Sequence, residues 1–177
     1  MIAKLREKVP GKPISHVVLS HFHNDHVGGV KAFAEAGATI VTTADAQAVV
    51  RKIAEAQART GSVVDQPVPT LKFATVSGAL ELGDASRKVT VFETSGDPHV
   101  ERLLVLVDAG SKVVMAADAY SDVMPFNVTF DWLATWIQGN QPATEMLLGA
   151  HHPPVEVKTI LTRQAEFKAG TNKQATR

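Results

Sequence analysis

Residues 21–26 of this 177-residue chain contain three histidines and an aspartate, and they constrain the fold more than any other feature of the sequence. The segment reads His-Phe-His-Asn-Asp-His and is followed directly by Val-Gly-Gly. Alternate side chains of an extended segment point to one face, so His21, His23 and Asp25 share a face, and His26 leaves it as the chain turns into a helix. Imidazole and carboxylate groups without thiolates suit zinc best, with iron and manganese as alternatives. The segment therefore predicts a metal site that can serve two neighbouring ions.

The composition of the chain favours a single soluble domain. The sequence is 45% hydrophobic with a formal net charge of zero at pH 7, which predicts one globular domain over residues 1–177. The sequence contains no basic run of the kind that would indicate a nucleic-acid partner. It also contains no apolar run long enough to span a membrane. The first residues lack the pattern of a signal peptide, so the chain as it stands predicts a cytoplasmic protein, unless a preceding segment carries such a signal. Because the chain has no cysteine, a catalytic metal site is favoured over a structural one.

The spacing of apolar residues predicts an α/β chain. Helices are predicted at 30–36, 44–59, 129–137 and 157–168, with the end of another at 5–9. Strands are predicted at 14–19, 38–41, 71–76, 79–82, 88–93, 103–107, 113–116 and 145–148. A proline-containing loop is predicted at 61–70, and the short strands after it favour antiparallel hairpins. The histidine segment thus follows the carboxyl end of a strand, where open α/β sheets usually bind ligands.

A catalytic metal also needs ligands from distant parts of the chain. Three polar residues lie just after or between predicted buried strands. His99 lies in a turn, Asp118 follows the apolar run 113–117, and His151 follows the segment 146–150. His152, directly beside His151, is an alternative to it. These residues are the candidates for the remainder of the site.

These residues resemble the metallo-β-lactamase superfamily, the αββα metallohydrolases. The His-x-His-x-Asp-His motif and the two glycines that often follow it match at 21–29. His99 is similar to the third histidine of the family's first metal site, Asp118 to the carboxylate that bridges both metals, and His151 to the last histidine of the second site. The resemblance implies an α/β fold of the αββα sandwich type.

The resemblance also implies a ligand set for two metal ions, which we expect to be Zn²⁺. The implied ligands form two groups bridged by Asp118: His21, His23 and His99 for one ion, and Asp25, His26 and His151 for the other. The family's last histidine usually follows a small residue, which favours His151, after Ala150, over His152. Asp25 is the predicted catalytic residue, because its carboxylate can orient a hydroxide or accept a proton from water.

The predicted function is that of a metal-dependent hydrolase. A dinuclear zinc-bound hydroxide would attack the carbonyl of an ester, thioester, lactone or amide. Asp118 stands where true β-lactamases generally have Cys or Ser, which argues against β-lactams as the main substrates. Two alternatives stay open: a mononuclear-iron oxidoreductase similar to the persulfide dioxygenases, and a domain that binds metal but is catalytically impaired. The expected partner is a small-molecule substrate, without nucleic acid or membrane.

The resemblance further predicts a fold that is abbreviated at its amino terminus. Members of the family usually have several strands before the first metal motif, whereas only twenty residues precede His21 here. A sheet without its neighbouring strands has an unpaired edge and exposed apolar faces. We therefore expect a fragment or an abbreviated form of the fold, which either is completed by a second copy of the chain in a homo-oligomer or has an altered first layer.

Overall fold

The computed structural model of the chain describes residues 1–59 and 67–175, and the side chains of residues 1–59 and 67–170. It contains two compact units, Met1–Ser77 and Gly78–Arg177. Residues 61–66 of the predicted loop at 61–70 lie outside the described residues. Residues 67–70 are described, and they form neither helix nor strand. Within the described ranges, every helix is too short or too polar to cross a membrane.

The first unit contains a parallel sheet of three strands in the order β1-β2-β3. The strands are β1 (His16–Val18), β2 (Thr39–Thr43) and β3 (Lys72–Val76). Parallel neighbours need a crossover connection, and helices supply it here: α2 (Asn24–Val27) and α3 (Val30–Glu35) between β1 and β2, and α4 (Ala46–Arg59) between β2 and β3. A further helix, α1 (Ile2–Lys8), precedes β1. The histidine segment follows the carboxyl end of β1, as predicted.

Apolar residues at helical spacing form the core of the first unit. Val50, Ala54 and Ala58 recur every four residues along α4 and are buried, so they form one face of the helix. Val50 and Ala54 belong to a cluster with Ile40 of β2 and with Val30 at the start of α3. This core supports the connection from β1 to α3, which carries the histidine segment.

The second unit contains a six-stranded sheet in the order β4-β5-β6-β7-β8-β9. The strands are β4 (Ala79–Gly83), β5 (Lys88–Ser95), β6 (Arg102–Asp108), β7 (Val113–Met115), β8 (Met146–Leu148) and β9 (Val155–Glu156). Neighbours are antiparallel except β7 and β8, which are parallel. Helix α5 (Val128–Asn140) lies between β7 and β8 in the chain, and α6 (Val157–Ala175) follows β9. Because β7 and β8 run in the same direction, the residues that follow them emerge at the same edge of the sheet.

The predicted elements are confirmed, and most of their ends agree with the structure to within a few residues. The larger differences concern the short helix α2, which was not predicted as a separate helix, the end of α6, and strand β9. Helix α6 continues to Ala175 instead of ending near residue 168. The sequence pattern placed Gly170 in a polar end segment after the helix, whereas the helix includes this glycine. A glycine inside a helix costs only about 1 kcal/mol relative to alanine. Strand β9 was not predicted, since two residues are too few to show a periodic pattern.

Candidate metal centre

The first unit brings the polar side chains of the histidine segment into pairs. His21 and His23 precede α2, and the first turn of α2 carries Asp25, with His26 next to it. The Nε2 atom of His21 lies 3.0 Å from Nδ1 of His23. The Nε2 atom of His26 lies 3.3 Å from Oδ2 of Asp25. Each pair thus places two donor atoms side by side.

These separations fit the requirements of metal coordination. Two ligand atoms that each lie about 2.1 Å from one zinc ion, at a tetrahedral angle, are roughly 3.4 Å apart. The pairs at 3.0 and 3.3 Å approach that value. His21 is only 4% exposed, whereas the Asp25 side chain is 56% exposed. The donor set of the first unit therefore combines a buried ligand with a carboxylate that solvent reaches.

The connection after α2 is held by a side chain that the sequence analysis did not identify. Gln57 of α4 donates from Nε2 to the Gly28 carbonyl at 3.0 Å, and its Oε1 accepts from the Lys31 backbone N–H at 3.1 Å. A Cβ atom at Gly28 would lie 2.9 Å from the Asn24 carbonyl oxygen, so the first of the two glycines is required for this close approach. Gln57 and Gly28 together fix the end of the helix that carries Asp25.

The second unit brings its three predicted ligands together at Asp118. The Nε2 atom of His99 lies 3.4 Å from Oδ2 of Asp118, and Nε2 of His151 lies 3.2 Å from Oδ1 of the same carboxylate. Each carboxylate oxygen therefore faces a different imidazole. A carboxylate in this position can donate one oxygen to each of two metal ions.

The backbone after β7 and β8 places Asp118 and His151 next to each other. The parallel pairing continues past the strand ends, because Ala116 N–H donates to the Leu148 carbonyl at 3.1 Å and Ala150 N–H donates to the Ala117 carbonyl at 3.1 Å. Ala117 has a φ of 32°, a left-handed value that costs an alanine about 1–2 kcal/mol. Such strain is concentrated at functional sites. Here it lies immediately before the carboxylate.

Asp97 is a second residue that the sequence analysis did not identify. Its Oδ1 accepts from the His99 backbone N–H at 2.9 Å, which orients the turn that carries this histidine. Burial raises the pKa of the Asp97 carboxyl above its ordinary value, and the hydrogen bond from His99 N–H opposes this in part. Among the described residues, its Oδ2 has no hydrogen-bond partner and is buried. The order Asp-Pro-His is a turn signal that points to this role.

The adjacent histidines 151 and 152 face different groups. His151 faces Asp118, whereas Nδ1 of His152 lies 2.6 Å from the Pro153 carbonyl oxygen. The His152 ring packs edge-on against Tyr120, with centroids 5.4 Å apart. The geometry therefore places His151 beside Asp118, another candidate ligand of this unit, and packs the His152 ring against Tyr120.

The segment after Asp118 is anchored by Arg163 of α6. Its guanidinium donates to the Tyr120 hydroxyl at 2.5 Å and to the Met124 carbonyl at 2.7 Å. It also lies over the rings of Tyr120 and Phe126. Tyr120 is buried, so it is a packed residue that helps to hold the turn in place.

Comparison with known proteins agrees with this description. The metallo-beta-lactamase superfamily model matches residues 2–119. A metallo-beta-lactamase from Pontibacter korlensis is similar in structure, with a TM-score of 0.65, 16% identity, and coverage of 93% of this chain and 74% of that one. A stereoselective inverting sec-alkylsulfatase from Pseudomonas sp. has a TM-score of 0.59 and 18% identity, over 99% of this chain and 36% of that one.

A flavodiiron core from Synechocystis sp. is also similar in structure, with a TM-score of 0.63 and 14% identity, over 93% of this chain and 45% of that one. At these identities the solved structures show a common fold, and they confirm the α/β metallo-β-lactamase-like class predicted from the sequence. The match to the family covers more than half of the chain. This chain therefore belongs to the metallo-β-lactamase superfamily.

Proposed function

We propose that this chain is a metal-dependent hydrolase with a dinuclear metal site, and that its two units act as one domain. One ion would be held by His21, His23 and His99, the other by Asp25, His26 and His151, with Asp118 bridging them. The observation that carries the proposal is the Asp118 carboxylate, whose Oδ2 faces His99 and whose Oδ1 faces His151. A hydrogen-bonding role would not require a separate imidazole at each oxygen.

The donor set supports zinc as the metal. The candidate ligands are imidazoles and carboxylates, and the chain has no cysteine. This chemistry suits Zn²⁺, and it also accommodates iron and manganese. When bound, two such cations lower the pKa of a shared water towards neutrality and polarise the oxygen of a substrate carbonyl.

The chain's own residues would position and deprotonate the attacking water. Asp25 is the candidate for this role, because its carboxylate is 56% exposed and lies beside His26. A carboxylate near dications stays ionised and can accept a proton. Asp118 stands where true β-lactamases generally have Cys or Ser, so we propose ester, thioester, lactone or amide carbonyls as substrates ahead of β-lactams.

The same donors leave a second candidate function. A mononuclear-iron oxidoreductase would use imidazole and carboxylate ligands too, and the candidate groups consist of these side chains. Metal analysis of the purified protein distinguishes the two functions, since the hydrolase contains two zinc ions per chain and the oxidoreductase contains one iron.

The function is tested with a panel of p-nitrophenyl esters, acyl-homoserine lactones, S-lactoylglutathione and nitrocefin. We expect zinc-loaded protein to hydrolyse at least one carbonyl substrate, and His23→Ala to abolish the reaction. His16→Ala is a matched control, because His16 is exposed and hydrogen-bonds to Ser15. Equal rates for the native chain and His23→Ala would reject the hydrolase. Metal binding without turnover would indicate the catalytically impaired domain.

We also propose that the chain forms a homo-oligomer. Strand β1 is a terminal strand of the sheet in the first unit, and a terminal strand has backbone groups that can pair with another chain. Light scattering over a range of concentrations tests this proposal. A stable monomer throughout would contradict it.

A further inference from the structure

Ser20 lies behind two of the proposed ligands at once. Its Oγ is 3.1 Å from Nδ1 of His21 and 3.5 Å from Nδ1 of His26. Both histidines use the opposite ring nitrogen, Nε2, towards His23 and Asp25. The serine hydroxyl therefore contacts the ring nitrogens opposite those that face His23 and Asp25.

We infer that Ser20 is a shared positioning residue, which orients one histidine of each metal-ligand group through a single hydroxyl. The inference rests on the proposed dinuclear site, because it assigns Ser20 a role through His21 and His26. The two histidines belong to different groups in that proposal, so one side chain would influence both ions.

The chemistry of the hydroxyl permits this double role. A neutral imidazole has one N–H group, and a serine oxygen has two lone pairs, so Oγ can accept from the Nδ1–H groups of both rings. Accepting these hydrogen bonds fixes the tautomer in which Nε2 carries the lone pair needed for a metal. The bond to His21 is the stronger of the two, because 3.5 Å is at the limit of hydrogen bonding.

Packing couples the two rings and keeps them in place. The centroids of His21 and His26 are 4.2 Å apart, with planes inclined by 38°. Only 4% of His21 and 8% of the His26 side chain are exposed. Bulk water therefore has little access to replace the serine hydroxyl, and a rotation of one ring would disturb the other.

The test compares Ser20→Ala and Ser20→Thr with Ser15→Ala. Threonine keeps a hydroxyl. Ser15 provides a matched control, because its Oγ also lies 3.1 Å from a histidine Nδ1, that of His16, which is not a proposed ligand. Zinc affinity is measured by competition with a chromophoric chelator, and the free energy of unfolding of each metal-free variant is measured in urea.

We expect Ser20→Ala to weaken zinc binding about 10- to 100-fold, the usual effect of losing a partner of a ligand histidine. The affinity for the ion proposed to bind His21 should fall more than the affinity for the other ion. Ser20→Thr and Ser15→Ala should bind zinc as the native chain does. Native zinc affinities in Ser20→Ala would overturn the inference, as would an equal loss in Ser15→Ala.

A second measurement separates this inference from the proposed function. The ¹⁵N chemical shifts of the histidine rings in the metal-free full chain report which nitrogen carries the proton. We expect the Nδ1–H tautomer at His21 in the native chain and a mixture of tautomers in Ser20→Ala. Unchanged tautomers would overturn the role of Ser20 even if the native chain hydrolyses esters. Failure of the native chain to bind zinc would instead reject the proposed function.

Discussion

The Nε2 atom of His151 lies 3.2 Å from Oδ1 of Asp118, and this contact joins the ends of two parallel strands. The two residues are far apart in the sequence, but β7 and β8 are neighbours in the sheet. Backbone hydrogen bonding continues beyond the strands, from Ala150 N–H to the Ala117 carbonyl. The contact is therefore determined by the pairing of the sheet as well as by the side chains.

The first prediction concerns the choice between adjacent histidines. His151→Gln should lower the zinc content by one ion per chain, because the replaced imidazole faces Asp118. His152→Gln should retain both ions, since Nδ1 of His152 faces the Pro153 carbonyl. Elemental analysis after dialysis measures both contents. The opposite pattern would assign the ligand role to His152.

The second prediction concerns Gly149, which follows β8. A Cβ added here would overlap Nε2 of His152, whose ring is held between the Pro153 carbonyl and Tyr120. Gly149→Ala should therefore lower the free energy of unfolding by about 1–3 kcal/mol, the usual cost of overpacking. Urea denaturation measures this change.

A glycine in open space provides the control for that variant. Gly139 lies in α5, and nothing is within 4 Å of its added Cβ. Gly139→Ala should raise the free energy of unfolding by up to about 1 kcal/mol. If both variants were equally stable, the ring of His152 would not be confined as described.

The third prediction concerns Arg163, which anchors the segment after Asp118. Arg163→Met removes the hydrogen bonds to the Tyr120 hydroxyl and the Met124 carbonyl and leaves the buried hydroxyl without its donor. We expect a loss of about 2–3 kcal/mol in the free energy of unfolding. Arg163→Lys should recover only part of it, because lysine lacks the planar guanidinium that reaches both groups.

Lys168→Met on the same helix is the control for Arg163. The Lys168 ammonium lies 3.1 Å from Oδ1 of Asp131, and half of its side chain is exposed. An exposed ion pair contributes at most about 1 kcal/mol. A loss in Lys168→Met as large as that in Arg163→Met would show that the removal of a positive charge from α6 is sufficient to lower the stability. The hydrogen bonds of Arg163 would then not be its source.

The fourth prediction is a pH dependence at Asp108. Hydrogen bonds from Arg87 and from the Ser111 backbone N–H lower the pKa of this carboxyl in the folded chain. Its contribution to stability is therefore fully present above the unfolded pKa of about 3.9, and it is lost as the pH falls through the lower folded value.

Asp108→Asn should accordingly be less stable than the native chain at neutral pH, and the difference should disappear in acid. The loss should be small and reduced by salt, because Arg87 is largely exposed. Urea denaturation at several pH values measures the difference. A difference that is constant with pH would exclude the ionised carboxylate as its source.

The sequence was sufficient to predict the elements and the ligand candidates, because both depend on local patterns. Strand β6 (Arg102–Asp108) matches an uninterrupted run of branched apolar residues, and the motif at 21–26 is specific by itself. The ends of elements were harder to predict, as the extension of α6 beyond Gly170 shows.

The supporting residues of the site were not predicted, because their roles depend on distant partners. Gln57 contacts Gly28 across 29 positions of the chain, and Arg163 contacts Tyr120 across 43. No periodicity or composition indicates such pairs. Ser20 and Asp97 had local signals, since each lies within two residues of a predicted ligand, but a hydroxyl or carboxylate beside a histidine is common in turns.

The number of zinc ions bound per chain tests the central proposal most directly. We predict two ions by elemental analysis of the native chain after dialysis against zinc, and a loss of at least one in Asp118→Asn, in which the carboxylate proposed to bridge the ions becomes a neutral amide. A native chain that retains no zinc, or an Asp118→Asn variant that retains two ions, would contradict the dinuclear site.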